Sequence, residues 1–257
     1  MRRLHTERLS LGYGGSPVVA DLDLAIPDGA FTAIVGPNAC GKSTTLRALV
    51  RLLRADGGTV LLDGTDLAGW RPKAVARELG FLPQGTMTPQ GIRVVGLVRR
   101  GRYARQSVLG TWSPVDDAAV TSAMEAAGVT DLADRVVTEL SGGQRQRVWI
   151  AMVLAQETPY LLLDEPTTFL DIAHQYELLR LLRRLVDEGR TVVAVLHDIN
   201  QACRFADHVV AMREGRVVAS GPPSAVVTAA IVAEVFGLAS DVVPDPLTGT
   251  PMVVPHP

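Results

Sequence analysis

The chain has 257 residues, 47% of them hydrophobic, which suffices for one large α/β domain or a core carrying a smaller subdomain. Its formal net charge of −2 argues against a nucleic-acid binder, which normally shows a strong basic excess. No apolar run approaches the ~20 residues that span a bilayer, and Met1-Arg2-Arg3-Leu4 is not followed by an apolar signal segment, so a cytoplasmic protein is expected, with any membrane role arising through a partner.

Residues 22–26 alternate like a half-buried strand. Residues 31–35 form a short apolar run that ends in a Gly-rich turn, and a helical stretch follows over 42–53. Residues 59–62 and 79–82 read as further strands, each followed by turn chemistry. From 88 to 156 helical patterns dominate, over 94–103, 115–127 and 144–156, with a loop at Trp112-Ser113-Pro114. We read this as a helical subdomain inserted into an α/β core made of 1–87 and 157–257, within a single domain. The core resumes with a strand at 160–163, a helix over 173–188 and a strand at 191–196. Residues 209–219 suggest a hairpin, and the Pro-rich tail 242–257 is expected to run extended over the surface. Cys40 and Cys203 fit a reduced compartment without disulfides.

Gly36-Pro37-Asn38-Ala39-Cys40-Gly41-Lys42-Ser43-Thr44 matches the G-x-x-x-x-G-K-[ST] phosphate loop and stands between a predicted strand and a predicted helix. Glycines let the backbone curl so that successive N–H groups point at phosphate oxygens. The helix N-terminus adds partial positive charge. Lys42 supplies a full charge to the β- and γ-phosphates of a nucleotide, and the Ser43 hydroxyl can ligate Mg²⁺. By itself the loop does not separate kinase, GTPase, ATPase or a protein that only binds nucleotide. Cys40 reads either as a reactive thiol at a helix N-terminus or as a small tolerated side chain.

Residues 160–163 form an apolar strand that ends in Asp164-Glu165-Pro166. At a strand end Asp164 is placed to hold Mg²⁺ through water, and Glu165 to orient and deprotonate the attacking water. Leu140-Ser141-Gly142-Gly143-Gln144-Arg145-Gln146-Arg147 is the most specific stretch. Ser141 and Gln144 make a capping-box pattern, which leaves the glycine pair to be explained by close backbone approach to an anion.

With that stretch the sequence resembles the ATP-binding cassette (ABC) family over nearly its whole length. The resemblance implies a P-loop NTPase (RecA-like) core with an N-terminal antiparallel β subdomain and an inserted α-helical subdomain. It implies a head-to-tail dimer, in which Ser141, Gly143 and Gln144 of one copy contact the nucleotide on the other copy's phosphate loop. It further implies that Tyr13 stacks on adenine, that Gln84 reaches Mg²⁺ and the attacking water, that Asp171 couples the two sites, and that His197 holds the γ-phosphate. Many family loops carry glycine where this chain has Ala39, a departure that leaves binding intact but could tune the loop.

Within the family the resemblance is to ATPases of bacterial ferric-siderophore importers, carried by Arg100-Gly101-Arg102-Tyr103 and by segments at 149–157, 196–203 and 245–251. It implies a permease partner, a periplasmic or lipoprotein binding protein acting indirectly, and a peripheral location at the cytoplasmic face of the inner membrane. Cobalamin and haem importers share much of the pattern. A soluble ABC protein acting on nucleic acid or ribosomes would call for a tandem cassette, a long coiled coil or a basic face. A nucleotide sensor without turnover is disfavoured by the presence of Glu165 and His197. The arginines at 99, 100, 102 and 105 read equally as a solvated basic face or as a face toward a permease.

Overall fold

A computed structural model describes residues 3–85, 87–106 and 112–257. Met1 and Arg2, used above in the signal-segment reading, lie outside them. The chain divides into two compact units, one of 1–70 and 182–257, the other of 71–181.

The first unit opens with β1 (Leu4–Tyr13), β2 (Ser16–Leu22) and β3 (Ala25–Ile26). β4 (Phe31–Val35), α1 (Lys42–Leu49), β5 (Gly57–Leu62) and β6 (Thr65–Asp66) follow. An antiparallel sheet has the order β2-β1-β5-β6, with β3 also on β1. The single strand expected over 22–26 is broken at Asp23 and Leu24. There the Thr6 hydroxyl donates to Leu22 O at 2.7 Å and accepts from Leu24 N at 2.9 Å, while Asp23 Oδ1 accepts from Arg8 N at 2.7 Å. Side chains thus take backbone partners that a continuous ladder would have used. α1 stops four residues short of the expected end, because Arg51 adopts φ +59° at a position usually given to glycine, and Leu52 and Leu53 N–H both turn back to Arg47 O.

The second unit contains α2 (Pro72–Glu78), β7 (Leu79–Leu82), α3 (Val94–Arg99), α4 (Pro114–Ala126), α5 (Gly142–Leu154) and β8 (Tyr160–Asp164). The unit boundary falls inside α6 (Ile172–Asp187). β7 and β8 pair in parallel, Leu79 opposite Tyr160 and Leu82 opposite Leu163. All five residues of β8 are buried, which is why the strand reads as a continuous apolar run. α3 is shorter than expected and passes into a 3-10 turn over Arg100–Ala104. A Cβ on Gly101 would lie 2.2 Å from Met152 O, so this turn packs backbone against backbone on α5.

Back in the first unit come β9 (Thr191–Val195), α7 (Ile199–Phe205), β10 (His208–Arg213), β11 (Arg216–Gly221), α8 (Pro223–Val226) and α9 (Ala229–Phe236). β12 (Ser240–Pro244) and β13 (Pro251–Pro255) complete it. β4 pairs in parallel with β9 on one side and β10 on the other, and β11 closes a hairpin on β10. β4 and β9 are buried throughout, so the core lies around them. The tail is not extended: β12 and β13 form a hairpin in register from Ser240 opposite Pro255 to Pro244 opposite Pro251. Two strands have only edges, where proline is tolerated. The turn is closed by Asp245 N to Thr250 O and Gly249 N to Asp245 O, both 2.8 Å. Among the described residues no helix is long and apolar enough to cross a membrane.

Candidate nucleotide-binding site

β4 leads into the phosphate loop, and the fold explains its residue types one by one. Gly36 has φ +152°, and a Cβ there would sit 2.2 Å from Met212 O. Gly41 is the N-cap of α1 at φ +102°, and its Cβ would sit 2.9 Å from Val19 Cγ2. Ala39 also takes the left-handed region, at φ +61°, so the family's usual glycine there answers a backbone demand that this chain meets with a strained alanine.

No side chain caps α1 and no acidic residue stands in its first turn, so its positive end is directed at the loop. Lys42 is only 5% exposed, and its ammonium donates to Gly36 O at 2.9 Å and Pro37 O at 2.7 Å, with Cys40 Sγ at 3.9 Å. The lysine side chain therefore curls over the loop that carries it. Of the two readings of Cys40, the buried small side chain fits: burial pushes its thiol up, with the Lys42 ammonium only partly opposing. Pro37 is half-buried, Asn38 exposed, Ser43 half-buried and Thr44 buried.

Tyr13 ends β1 with 46% of its surface exposed, and its hydroxyl meets Arg47 of α1 at 3.5 Å. His197 follows β9 and is exposed. The strand side is anchored by Leu196 N to Ile34 O at 3.1 Å. The helix side is anchored by Asp198, whose carboxylate caps α7 at Asn200 N (2.8 Å) and Gln201 N (3.1 Å).

In the second unit Asp164 closes β8 at 1% exposure. Glu165 turns the chain out of the strand at φ +53°, a conformation costly for a non-glycine residue and typical of functional positions. Gln84, just past β7, donates Nε2–H to Glu165 Oε2 at 2.6 Å, and Thr168 Oγ1 lies 3.5 Å from the same oxygen. Two of the residues assigned to catalysis are thus in direct contact. Because the carboxylate accepts, the Gln84 amide nitrogen faces it and the amide oxygen points elsewhere.

Ser141 and Gln144 form the capping box in both directions, Gln144 N to Ser141 Oγ at 3.2 Å and Ser141 N to Gln144 Oε1 at 3.1 Å. Asp171 caps α6, accepting from His174 N at 3.0 Å with His174 Nδ1 at 2.7 Å. Those bonds, the backbone one foremost, hold its carboxyl below the ordinary value. His174 had no sequence context, and only the three-residue spacing from Asp171 could have signalled it.

Of the arginine cluster only Arg102 is buried, while Arg99, Arg100 and Arg105 are exposed. Arg102 is buried, with Nε on Asp116 Oδ1 at 2.8 Å and its guanidinium on Ala155 O at 2.9 Å and Glu157 Oε2 at 2.6 Å. Burial opposes its charge, but the two carboxylates outweigh that and raise its pKa. Arg99 stacks on the Trp112 ring at 4.9 Å and meets Asp117 at 3.2 Å, and Arg105 holds Gln156 O at 2.7 Å. Arg99, Arg102 and Arg105 thus make contacts that tie the end of α3 and the 3-10 turn to α4 and to the residues just after α5, although Arg99 and Arg105 remain exposed.

Residues 19–168 match the ABC transporter family model. The chain belongs to the ABC transporter family. ATP-binding subunits of ABC transporters hydrolyse ATP to drive transport. This ABC chain is 55% identical over 254 residues to the ferric enterobactin transport ATP-binding protein FepC of Escherichia coli strain K12, covering 98% of the chain and 94% of the relative. Its fold resembles a transporter assigned to the metal-chelate type of ABC transporters, solved in an inward-facing conformation, with TM-score 0.84, 28% identity, and coverage of 100% and 98%. It also resembles the dimeric structure of the bacterial ABC transporter cassette MJ0796, with TM-score 0.78, 27% identity, and coverage of 85% and 98%.

Proposed function

We propose that this chain is the ATP-hydrolysing subunit of an importer of iron–siderophore complexes. The observation that carries the reading is the likeness to FepC across almost the full length of both chains. We infer that it acts as a head-to-tail pair on a membrane permease, at the cytoplasmic face of the inner membrane. The binding protein that delivers the chelate acts only through the permease, and no nucleic acid is involved. Residues 88–156 form the helical subdomain that faces the permease.

The roles follow from chemistry. Tyr13 offers a ring to adenine. The backbone of 36–44, the Lys42 ammonium and the end of α1 bind the phosphates. The donors proposed for Mg²⁺ are Ser43 Oγ, the Asp164 carboxylate and the Gln84 amide oxygen. All are hard oxygens, the donor type that Mg²⁺ takes. When bound, Mg²⁺ neutralises charge on the β- and γ-phosphate oxygens. Glu165, held by Gln84, takes a proton from water as the water oxygen attacks the γ-phosphorus and the bond to the ADP oxygen breaks. His197 stabilises charge on the γ-phosphoryl oxygens. Ser141, Gly143 and Gln144 of the second copy do so from the opposite side, and Asp171 couples the two sites. Because each γ-phosphate touches both copies, hydrolysis removes the contact that holds them together.

The deciding experiment is Glu165→Gln. Turnover should fall by about 10²–10⁴-fold with ATP binding kept and an ATP-dependent dimer accumulating on gel filtration. Normal turnover would overturn the general-base role. Co-purification with a multi-span membrane protein and uptake of labelled iron chelate by the pair would test the importer reading, and co-purification with RNA instead would overturn it.

A further inference from the structure

α7 has seven residues, too few to be stable alone, so its position depends on its neighbours. Asn200 and Arg204 lie four residues apart, on one face of the helix. Both reach the β12–β13 hairpin. Asn200 Oδ1 accepts from Val253 N at 2.7 Å and its Nδ2 donates to Val253 O at 3.1 Å, so an amide side chain stands where a neighbouring strand would. Arg204 Nε donates to Asp245 Oδ2 at 3.2 Å, and a second guanidinium nitrogen meets the same oxygen.

Asp245 is buried at 5% exposure, and its other oxygen accepts from Leu247 N at 2.8 Å and Thr248 N at 3.1 Å. The carboxylate that grips Arg204 is therefore fixed by its own turn. Arg204 first, and then the amides of Leu247 and Thr248, hold its carboxyl down at about 2, so the grip stays charged throughout the neutral range. Upstream of His197, Leu196 is tied into the sheet by its bond to Ile34 O. His197 and Asp198 thus form the short link between a strand fixed by β4 and a helix fixed by the hairpin.

We propose that the β12–β13 hairpin is a positioning device for His197, acting through Asn200 and Arg204 to set where the imidazole meets the γ-phosphate. The proposal rests on the reading of His197 given above. Catalytic geometry is steep in distance, a displacement of about 1 Å costing on the order of 10²-fold, so a helix gripped at two points one turn apart is a means of holding that geometry.

The test is the steady-state ATPase of the full chain carrying His197→Ala, Asn200→Ala, Arg204→Ala, Arg204→Lys, or His197→Ala with Asn200→Ala. Asn200→Ala should lower kcat about tenfold with KM for ATP changed less than about twofold. Arg204→Ala should do likewise, and Arg204→Lys should recover part of the loss. In the His197→Ala background, Asn200→Ala should add less than about twofold, because the residue it positions is gone. Wild-type kcat for Asn200→Ala, or an equal fall in both backgrounds, would overturn the proposal while leaving His197 in place. Wild-type turnover by His197→Ala would instead overturn the reading on which it rests. If turnover is too low to measure or Asn200→Ala fails to fold, hydrogen exchange of Arg204→Lys and Arg204→Ala decides. Exchange at 196–199 should quicken with 36–44 unchanged, and unchanged exchange at 196–199 would sink the idea.

Discussion

The phosphate loop and the start of α5 are both glycine-rich, but their glycines answer different demands. In the loop, side chains at Gly36 and Gly41 would collide with Met212 O and Val19 Cγ2 in a left-handed backbone. At Gly142 and Gly143 the nearest atoms to an added Cβ are Phe169 Cβ at 3.5 Å and Phe169 O at 3.4 Å, ordinary contact distances. The first pair is glycine because the chain's own interior leaves no room. The second is glycine although the chain leaves room, which fits the proposed site shared with a second copy. A glycine motif therefore acquires meaning from the space around it rather than from its pattern.

That contrast can be broken most sharply at Gly36. Gly36→Ala adds a left-handed penalty to an overlap with backbone and should cost about 3 kcal/mol or more, lowering the melting temperature by roughly 6 °C or more and abolishing ATP binding. A melt within about 2 °C of wild type would erase the contrast. The second unit has inward constraints too, at Gly80 of β7 and at the 3-10 turn. Arg102→Ala should cost about 3 kcal/mol by stranding Asp116.

The Asp116 carboxyl is held below its ordinary value by Arg102 and Ser113, so the pair's contribution is complete above pH about 4 and is lost as pH falls through the lowered value. The gap between Arg102→Ala and wild type in urea melts should narrow on acidification, and a gap that widens would contradict the assignment. Gly143→Ala should show the reverse of Gly36→Ala, melting within about 2 °C of wild type while ATP-dependent dimerisation and turnover fall about tenfold. The smallest effect is at Ala39. Relief of about 1–2 kcal/mol of left-handed strain, less about 0.5–1 kcal/mol of added chain entropy, leaves Ala39→Gly more stable by at most about 1.5 kcal/mol in a denaturant titration.

The sequence was most legible where one physical cause dominated. β4 and β7 have the expected bounds, because largely buried strands read as short, mostly apolar runs between turn residues. The contact of Gln84 with Glu165 was legible only through the family resemblance, since 81 residues separate them and no local pattern joins them. The tail was misread because its prolines look like breakers, yet an isolated hairpin has only edges. The burial of Arg102 was not legible, because charge in a helical stretch gives no sign of burial. Asp116 and Glu157, which neutralise Arg102, lie 14 and 55 residues away. Asn200 and Val253 likewise had no signal, for one of the partners is a backbone.

The grip on α7 also has a schedule. Val253 is synthesised 53 residues after Asn200. At translation speeds of about 5–20 residues per second that is an interval of several seconds. During it the helix is made but one face lacks the strand it will bind, and Arg204 lacks its carboxylate. Slow synthesis at Pro244, Pro246 or Pro251 would lengthen that interval, and with the proposed role of the hairpin it would leave nascent chains with a complete phosphate loop and His197 not yet held.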